Sequence, residues 1–285
     1  MIYLSDDDNG VIPRVDLNRD NQIIISQLDP GFPAIREVTD PYVDASGVID
    51  STVYHDARRV SLRGMIVDGA LPRHQVLNRI MAHMIPSARS YLHWQLNDET
   101  SADARCVRFR AGNVSRPVQA HNRIYFNLSL IAAKGVIESS ELITKTINPS
   151  TAGGTESGRA YDLTFDRTYP ASDPIGSANI ENLGSVTAWP IIKIFGECTN
   201  PVIDNVTTGQ SFEFPSLSVA AGEVITIDTV NRTILNQSDQ SRMPDLDLTT
   251  SEWWGLQSGV NILAFQPTTS TAASKCTVQY RHAYI

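Results

Sequence analysis

At 285 residues the chain has room for one large domain or two ordinary ones, each able to bury a core without disulfide or metal staples. Hydrophobic residues at 41% and charged residues at 19% exclude a wholly disordered chain, and abundant Ser, Thr and Asn suit strands and turns. The net charge of −8 and the lack of a basic stripe argue against tight or sequence-specific nucleic-acid binding, because phosphate contacts need Lys or Arg.

The N-terminus opens Met1-Ile2-Tyr3-Leu4-Ser5-Asp6-Asp7-Asp8, acidic where a signal peptide needs a basic segment and then an apolar run. Apolar runs such as Ile23-Ile24-Ile25 fall far short of a membrane span, so no membrane insertion is expected. Up to residue 50, Pro13, Pro30, Pro33 and Pro41 separate short apolar pieces, with strands expected over 17–26 and 35–38. Residues 40–58 read as a long exposed loop, a feature often functional in a compact domain and here suited to an oligomer contact.

From residue 59 the pattern sharpens. Val60, Leu62, Gly64 and Ile66 alternate with polar neighbours, the period of a half-buried strand. Val76, Leu77, Ile80, Met81 and Met84 then fall at helical spacing between Pro72 and Pro86, predicting one amphipathic helix packed on the sheet. Strand alternation returns at Leu92-Trp94-Leu96, at Val107-Phe109-Ala111, and most clearly at Ile124-Phe126-Leu128-Leu130.

The run Asn148 to Gly158 has no large apolar residue and reads as a linker. Charge changes there too: 16 basic against 17 acidic residues up to position 145, but 7 against 14 beyond it. The expected organisation is a β domain with one helix over 1–147, a linker over 148–160, and a β-sandwich over 161–285. The second domain shows short strand signals at 162–165, 179–182, 191–195, 201–205, 211–214, 224–228, 233–236, 259–265 and 277–284, with no helix of any length. The fold class is mainly β throughout.

A search for chemistry finds little. No H-E-x-x-H, nucleophile elbow, P-loop or dinucleotide fingerprint is present. Asp6 to Asp8 could attract a hard cation such as calcium, but the fixed loop pattern of a calcium site is missing. Asp245 and Asp247 look like solvated turn residues rather than paired catalytic carboxylates. Cys106, Cys198 and Cys276 are odd in number and widely spaced; they read as reduced, buried thiols, with one disulfide as the alternative. No catalytic residue, cofactor or metal is therefore expected. Arg58, Arg59, Arg63, Arg108 and Arg110 form the one basic concentration, either solvated and ion-paired or facing an acidic partner. Trp253 and Trp254 are adjacent, so on a strand they would point to opposite faces, one into the core and the other toward a partner or a sugar.

Two stretches carry a family resemblance. Asp50 followed by Tyr54-His55-Asp56-Ala57-Arg58-Arg59-Val60-Ser61-Leu62-Arg63-Gly64 resembles a segment of siphophage tail proteins in which a loop with Asp and Arg leads into a strand ending in Gly. Asn182-Leu183-Gly184, Trp189-Pro190 through Gly196, Asn200-Pro201, Gly209, Ala221-Gly222-Glu223 and Ile227-Asp228 follow in order, closing with Trp254, Leu256, Gly259, Asn261, Phe265 and Val278 to Arg281. This ordered set resembles the siphophage distal tail protein (Dit) family.

The resemblance implies a tail-tube-like N-terminal β-sandwich or barrel with a packed helix, and a galectin-like jelly-roll sandwich at the C-terminus. It implies a virion protein at the distal end of the tail, made in the host cytoplasm. Six copies would form a ring joining the tail-tube protein, the tape measure protein and the tail-tip hub, with DNA passing through the channel without specific binding. The ring interface would draw on Asp50, Tyr54, Arg58, Arg59 and Arg63, and a partner or sugar contact on Trp253 or Trp254. No catalytic residue comes with this family. Competing readings are another tail-tip structural protein, a carbohydrate-binding adhesin and a cell-wall enzyme.

Overall fold

The computed structural model describes residues 2–6, 14–37, 40–41, 48–49, 53–85, 89–95, 104–115, 117–149 and 176–285. They fall into two compact units, Met1–Glu141 with Ala283–Ile285, and Leu142–His282. Both are built mainly from strands, and one α-helix occurs among the described residues.

The first unit contains β1 (Ile2–Ser5), β2 (Arg14–Asp16), β3 (Ile23–Asp29), β4 (Pro33–Glu37), β5 (Asp40–Pro41), β6 (Val48–Ile49) and β7 (Val53–Ile66). Helix α1 (Arg73–Ala82) follows, then β8 (Ser90–Gln95), β9 (Ala104–Val114), β10 (Val118–Ala120), β11 (Arg123–Ala132) and β12 (Ile137–Ser139). The main sheet runs β2-β1-β8-β9-β11-β7-β3. Its centre is the antiparallel pair β7 and β11, in which Leu62 faces Leu128 and Val60 faces Leu130. Those four side chains are fully buried, because alternate residues of a strand share a face and here that face is the core. Helix α1 begins after Pro72 and buries Val76 and Ile80 in the same core, as its helical spacing requires.

Two expectations need correction. Residues 53–58 are not loop: they open β7 and pair with β4, Ile35 against His55 and Pro33 against Arg58. The polar His55 and Asp56 remain at the surface, so backbone pairing rather than apolar alternation holds this stretch, and a periodicity reading misses it. Residues 42–47 and 50–52 of the same expected loop lie outside the described residues. The expected strand at 17–26 is broken in two. Asn18 caps a 3-10 turn at Arg19–Asn21, Gln22 takes a left-handed conformation (φ 64°), and β3 starts only at Ile23. Gln22 is held there by its side chain, which donates to the carbonyls of Val67 (3.1 Å) and Leu71 (2.9 Å) and accepts from Leu71 N–H (2.8 Å).

The second unit contains β13 (Ile143–Ile147), β14 (Ser177–Asn182), β15 (Ile191–Phe195), β16 (Cys198–Thr199), β17 (Val202–Asn205), β18 (Gln210–Glu213), β19 (Ser218–Val219) and β20 (Val224–Asp228). β21 (Thr233–Asn236), β22 (Gly259–Gln266), β23 (Thr269–Ser270) and β24 (Lys275–Tyr280) complete it. A five-stranded antiparallel sheet, β13-β24-β15-β20-β21, and a four-stranded one, β14-β22-β17-β18, supply its apolar interior. Ile192, Ile194, Ile225, Ile227 and Val278 come from the first sheet, and Ile180, Ile203, Phe212, Leu263 and Phe265 from the second; all ten are fully buried. Every sequence-marked strand from 179 to 265 has its counterpart here.

The limits of the units differ from the expected ones. β13 pairs with β24 across five registered positions, so residues 143–147 belong to the second unit. The expected terminal strand at 277–284 is interrupted at Arg281-His282, and β25 (Ala283–Tyr284) pairs with β12 in the first unit. Of the expected linker, residues 150–160 lie outside the described residues, as does the expected strand at 162–165.

Candidate functional site

Of the residues expected to form an oligomer contact, Asp50 lies outside the described residues. Tyr54 is in β7, its backbone paired with Arg36. Arg58 is not an exposed interface residue: it is 1% exposed. Its Nε donates to the Gly135 carbonyl at 2.9 Å and its Nη1 to the Gly31 carbonyl at 3.0 Å. Burial disfavours the charged form and lowers its pKa. Position 58 shares the inward parity of Val60 and Leu62, a signal already in the sequence. Arg59 and Arg63, of opposite parity, are exposed.

The pairing then brings distant arginines together. Ile131 of β11 faces Arg59 of β7 on one side and Arg110 of β9 on the other. Arg59, Ile131 and Arg110 thus form one row across three strands. Arg108 lies two residues along β9 on the same face, and Arg63 four residues along β7. At the β9 end a shallow pocket is lined by Arg89, Arg108, Arg110, Ile131 and Lys134. Lys134 is paired with Glu138 at 2.9 Å. Among the described residues Arg59, Arg63, Arg108 and Arg110 have no ion-pair partner. The expectation that the chain lacks a basic stripe is therefore corrected: the sequence shows the arginines as two groups about fifty positions apart, and only the pairing of β7 and β9 with β11 between them lines them up.

The tryptophan pair differs from the strand expectation. Neither Trp253 nor Trp254 is in a strand, and both contact one ring. Trp254 is 1% exposed and stacks on Phe212 with centroids 5.2 Å apart. Trp253 meets the same ring edge-on at 5.3 Å and is partly exposed. Only Trp253 has surface to offer a partner.

The fold also assembles a trio that spacing could not reveal. Asp6 Oδ1 accepts from Ser90 Oγ at 2.9 Å and lies 2.9 Å from His83 Nδ1, which is 3.1 Å from Ser90 Oγ. A Ser-His-Asp relay needs the acid on one ring nitrogen and the nucleophile on the other. Here both crowd Nδ1, and His83 and Ser90 are buried, which is the geometry of a structural tie. Asp7 and Asp8 lie outside the described residues, among which no His, Cys, Asp and Glu cluster could hold a metal. Asp247 caps Thr249 through its N–H (2.9 Å) and hydroxyl (2.6 Å), hydrogen bonds that hold its carboxyl below the usual range, while Asp245 pairs with Arg242 at 3.1 Å. All three cysteines are unbridged and buried.

These two β units have known counterparts. Over its whole length the chain superposes on the Dit protein of phage SPP1, described as a paradigm of the hub adsorption apparatus in phages infecting Gram-positive bacteria, with TM-score 0.64, 11% identity and 100% coverage of both chains. It also superposes on a chain of the phage p2 baseplate in its activated conformation, solved with calcium and with strontium, each with TM-score 0.52, 11% identity, and 98% and 97% coverage. The fold is thus that of phage tail-hub and baseplate proteins. Residues 183–284 match the family model of the siphovirus-type tail component, C-terminal domain. The resemblance to the distal tail proteins read from the sequence is borne out. A search of curated proteins finds no match.

Proposed function

We propose that the protein is a non-enzymatic structural component of a siphophage tail. It forms a ring, of six copies, at the distal end of the tail tube and joins tube, tape measure protein and tail-tip hub. The observation that carries this reading is the end-to-end likeness to the SPP1 Dit fold, which takes in both units rather than one. The second unit, with its five- and four-stranded sheets, is read as a galectin-like attachment domain, and Trp253 as its candidate contact. The first unit is read as ring-forming, with DNA passing the channel without specific binding.

The test is mass. Light scattering of the purified chain, alone and mixed with the tube and hub proteins of the same phage, is expected to give a species near six times 31.3 kDa. A clean monomer both alone and in that mixture would overturn the ring.

A further inference from the structure

We propose that the arginine stripe on the outward face of β7, β11 and β9 is a contact for the phosphodiester backbone of duplex DNA, weak and without sequence preference.

The first argument is charge. Arg59, Arg63, Arg108 and Arg110 stand on one sheet face, and no described carboxylate forms an ion pair with any of them. Asp29, opposite Ser61, is the acid nearest in register, and its Oδ1 already accepts the Gly31 N–H at 2.9 Å. Like charges on neighbouring strand positions repel. Among the described residues no acid pairs with them, so this face offers its guanidinium groups to an external anion.

The second argument is chemical. All four cations are arginines, whose planar donors match phosphate oxygens in pairs. Between them the face carries Ser61, Asn127 and Ser129, small polar groups able to donate to phosphate oxygens, and at one end Tyr125, 41% exposed. An acidic protein interface would need apolar anchors at its centre, and Ile131 alone stands there.

The third argument is size. Two strand spacings separate Arg59 from Arg110 by about 10 Å, and four residues separate Arg59 from Arg63 by about 13 Å. Such a footprint reaches about four phosphates of B-DNA. The overall charge of −8 opposes a tight complex, so the contact suits a duplex moving past rather than one held.

The experiment is fluorescence anisotropy of a short labelled duplex of arbitrary sequence, titrated with the full chain. Four phosphate contacts predict a log–log salt slope of about −3.6, hence roughly a hundredfold weaker binding at about 200 mM than at about 50 mM salt. Arg108→Ala with Arg110→Ala is expected to shrink the slope by about 1.8, as is Arg59→Ala with Arg63→Ala, while the four Arg→Lys changes keep it. Thermal melting checks that each variant folds; should an alanine pair fail there, single substitutions replace it and each is expected to shrink the slope by about 0.9. No binding at low salt, or an unchanged slope in the quadruple alanine variant, overturns the proposal. So does a quadruple variant that loses self-association when the unaltered chain binds no duplex, which would assign the face to an acidic protein. A monomer that binds duplex removes the ring and keeps this contact; a ring that binds none does the reverse.

Discussion

Arg58 Nε donates to the carbonyl oxygen of Gly135 at 2.9 Å, across 77 positions of chain. The same guanidinium reaches Gly31, so one buried side chain ties the turn before β4 to the turn after β11. Gly31 has φ of 61°, and a Cβ there would collide with the Arg59 carbonyl. Arg58→Ala leaves one buried acceptor at Gly135 and one half-buried acceptor at Gly31 unmade and is expected to cost about 2–4 kcal/mol in chemical denaturation. Arg58→Lys should recover little of it, because one ammonium cannot reproduce a two-ended fork. A loss below about 0.5 kcal/mol, the range of ordinary surface changes, would show that the tie is dispensable.

The two tryptophans should separate cleanly. Trp254→Ala empties a site against Phe212 and is expected to cost about 3–5 kcal/mol. Among the described residues Trp254 Nε1 is buried without a hydrogen-bond partner. Trp254→Phe therefore forfeits volume but no bond, and about 1–2 kcal/mol is expected. Trp253→Ala should leave the fold near its original stability. If the second unit binds sugar through this pair, a glycan array should lose its signal with Trp253→Ala; an unchanged signal would take Trp253 out of the contact.

Alkaline pH should destabilise the second unit. Burial pushes the Cys198 thiol from 9.0 up to about 11, pushes Cys276 further in the same direction, and raises Tyr280 as well. The folded state keeps these protons at a pH where the unfolded chain releases them. Stability is then complete below pH 9.0 and falls as pH rises through 11 or so, the sign set by extra protons bound to the native state. Melting temperatures across that range should decline and, with Cys198→Ser and Cys276→Ala combined, decline less. In the native protein near neutral pH a thiol reagent should label none of Cys106, Cys198 and Cys276; rapid labelling of any one would contradict its burial.

Removing residues 283–285 should weaken the first unit selectively. The Tyr284 ring lies under the Arg105 guanidinium at 3.8 Å, and Ala283 is buried beside β12. Hydrogen exchange is expected to rise at Ile137–Ser139 and around Arg105, with Ile191–Phe195 unaffected. Uniform protection in both places would refute the assignment of β25.

What could be read from the chain alone follows from how each element is held. The strand at Ile124 to Leu130 and the helix around Val76 and Ile80 bury one face against a core, and such burial writes a period into the sequence. Residues 53–57 are held by backbone pairing with β4 and leave His55 and Asp56 in solvent, so no period marks them. Arg58 was legible in parity but masked by its charge, since an arginine on the inward side reads as an exception until its carbonyl partners are known. The arginine stripe needs the register of β7, β11 and β9, a relation between residues up to 51 positions apart for Arg59 and Arg110 that local pattern cannot encode. The Asp6, His83 and Ser90 contact is hidden for the same reason.

The placement of β25 sets an order on synthesis. Ala283 and Tyr284, the partners of β12, are made more than 140 positions after the strand they complete. While the second unit is being made, the first stands with an open sheet edge at Ile137–Ser139, the kind of edge that invites pairing with another chain. Domains fold as units in order of emergence, yet this one can be finished only after the whole second unit has been made. On a polysome crowded with copies of the same nascent chain, the residues of β25 act as a late-closing latch. Until they arrive, the growing protein is at its most exposed to mispairing with its own siblings.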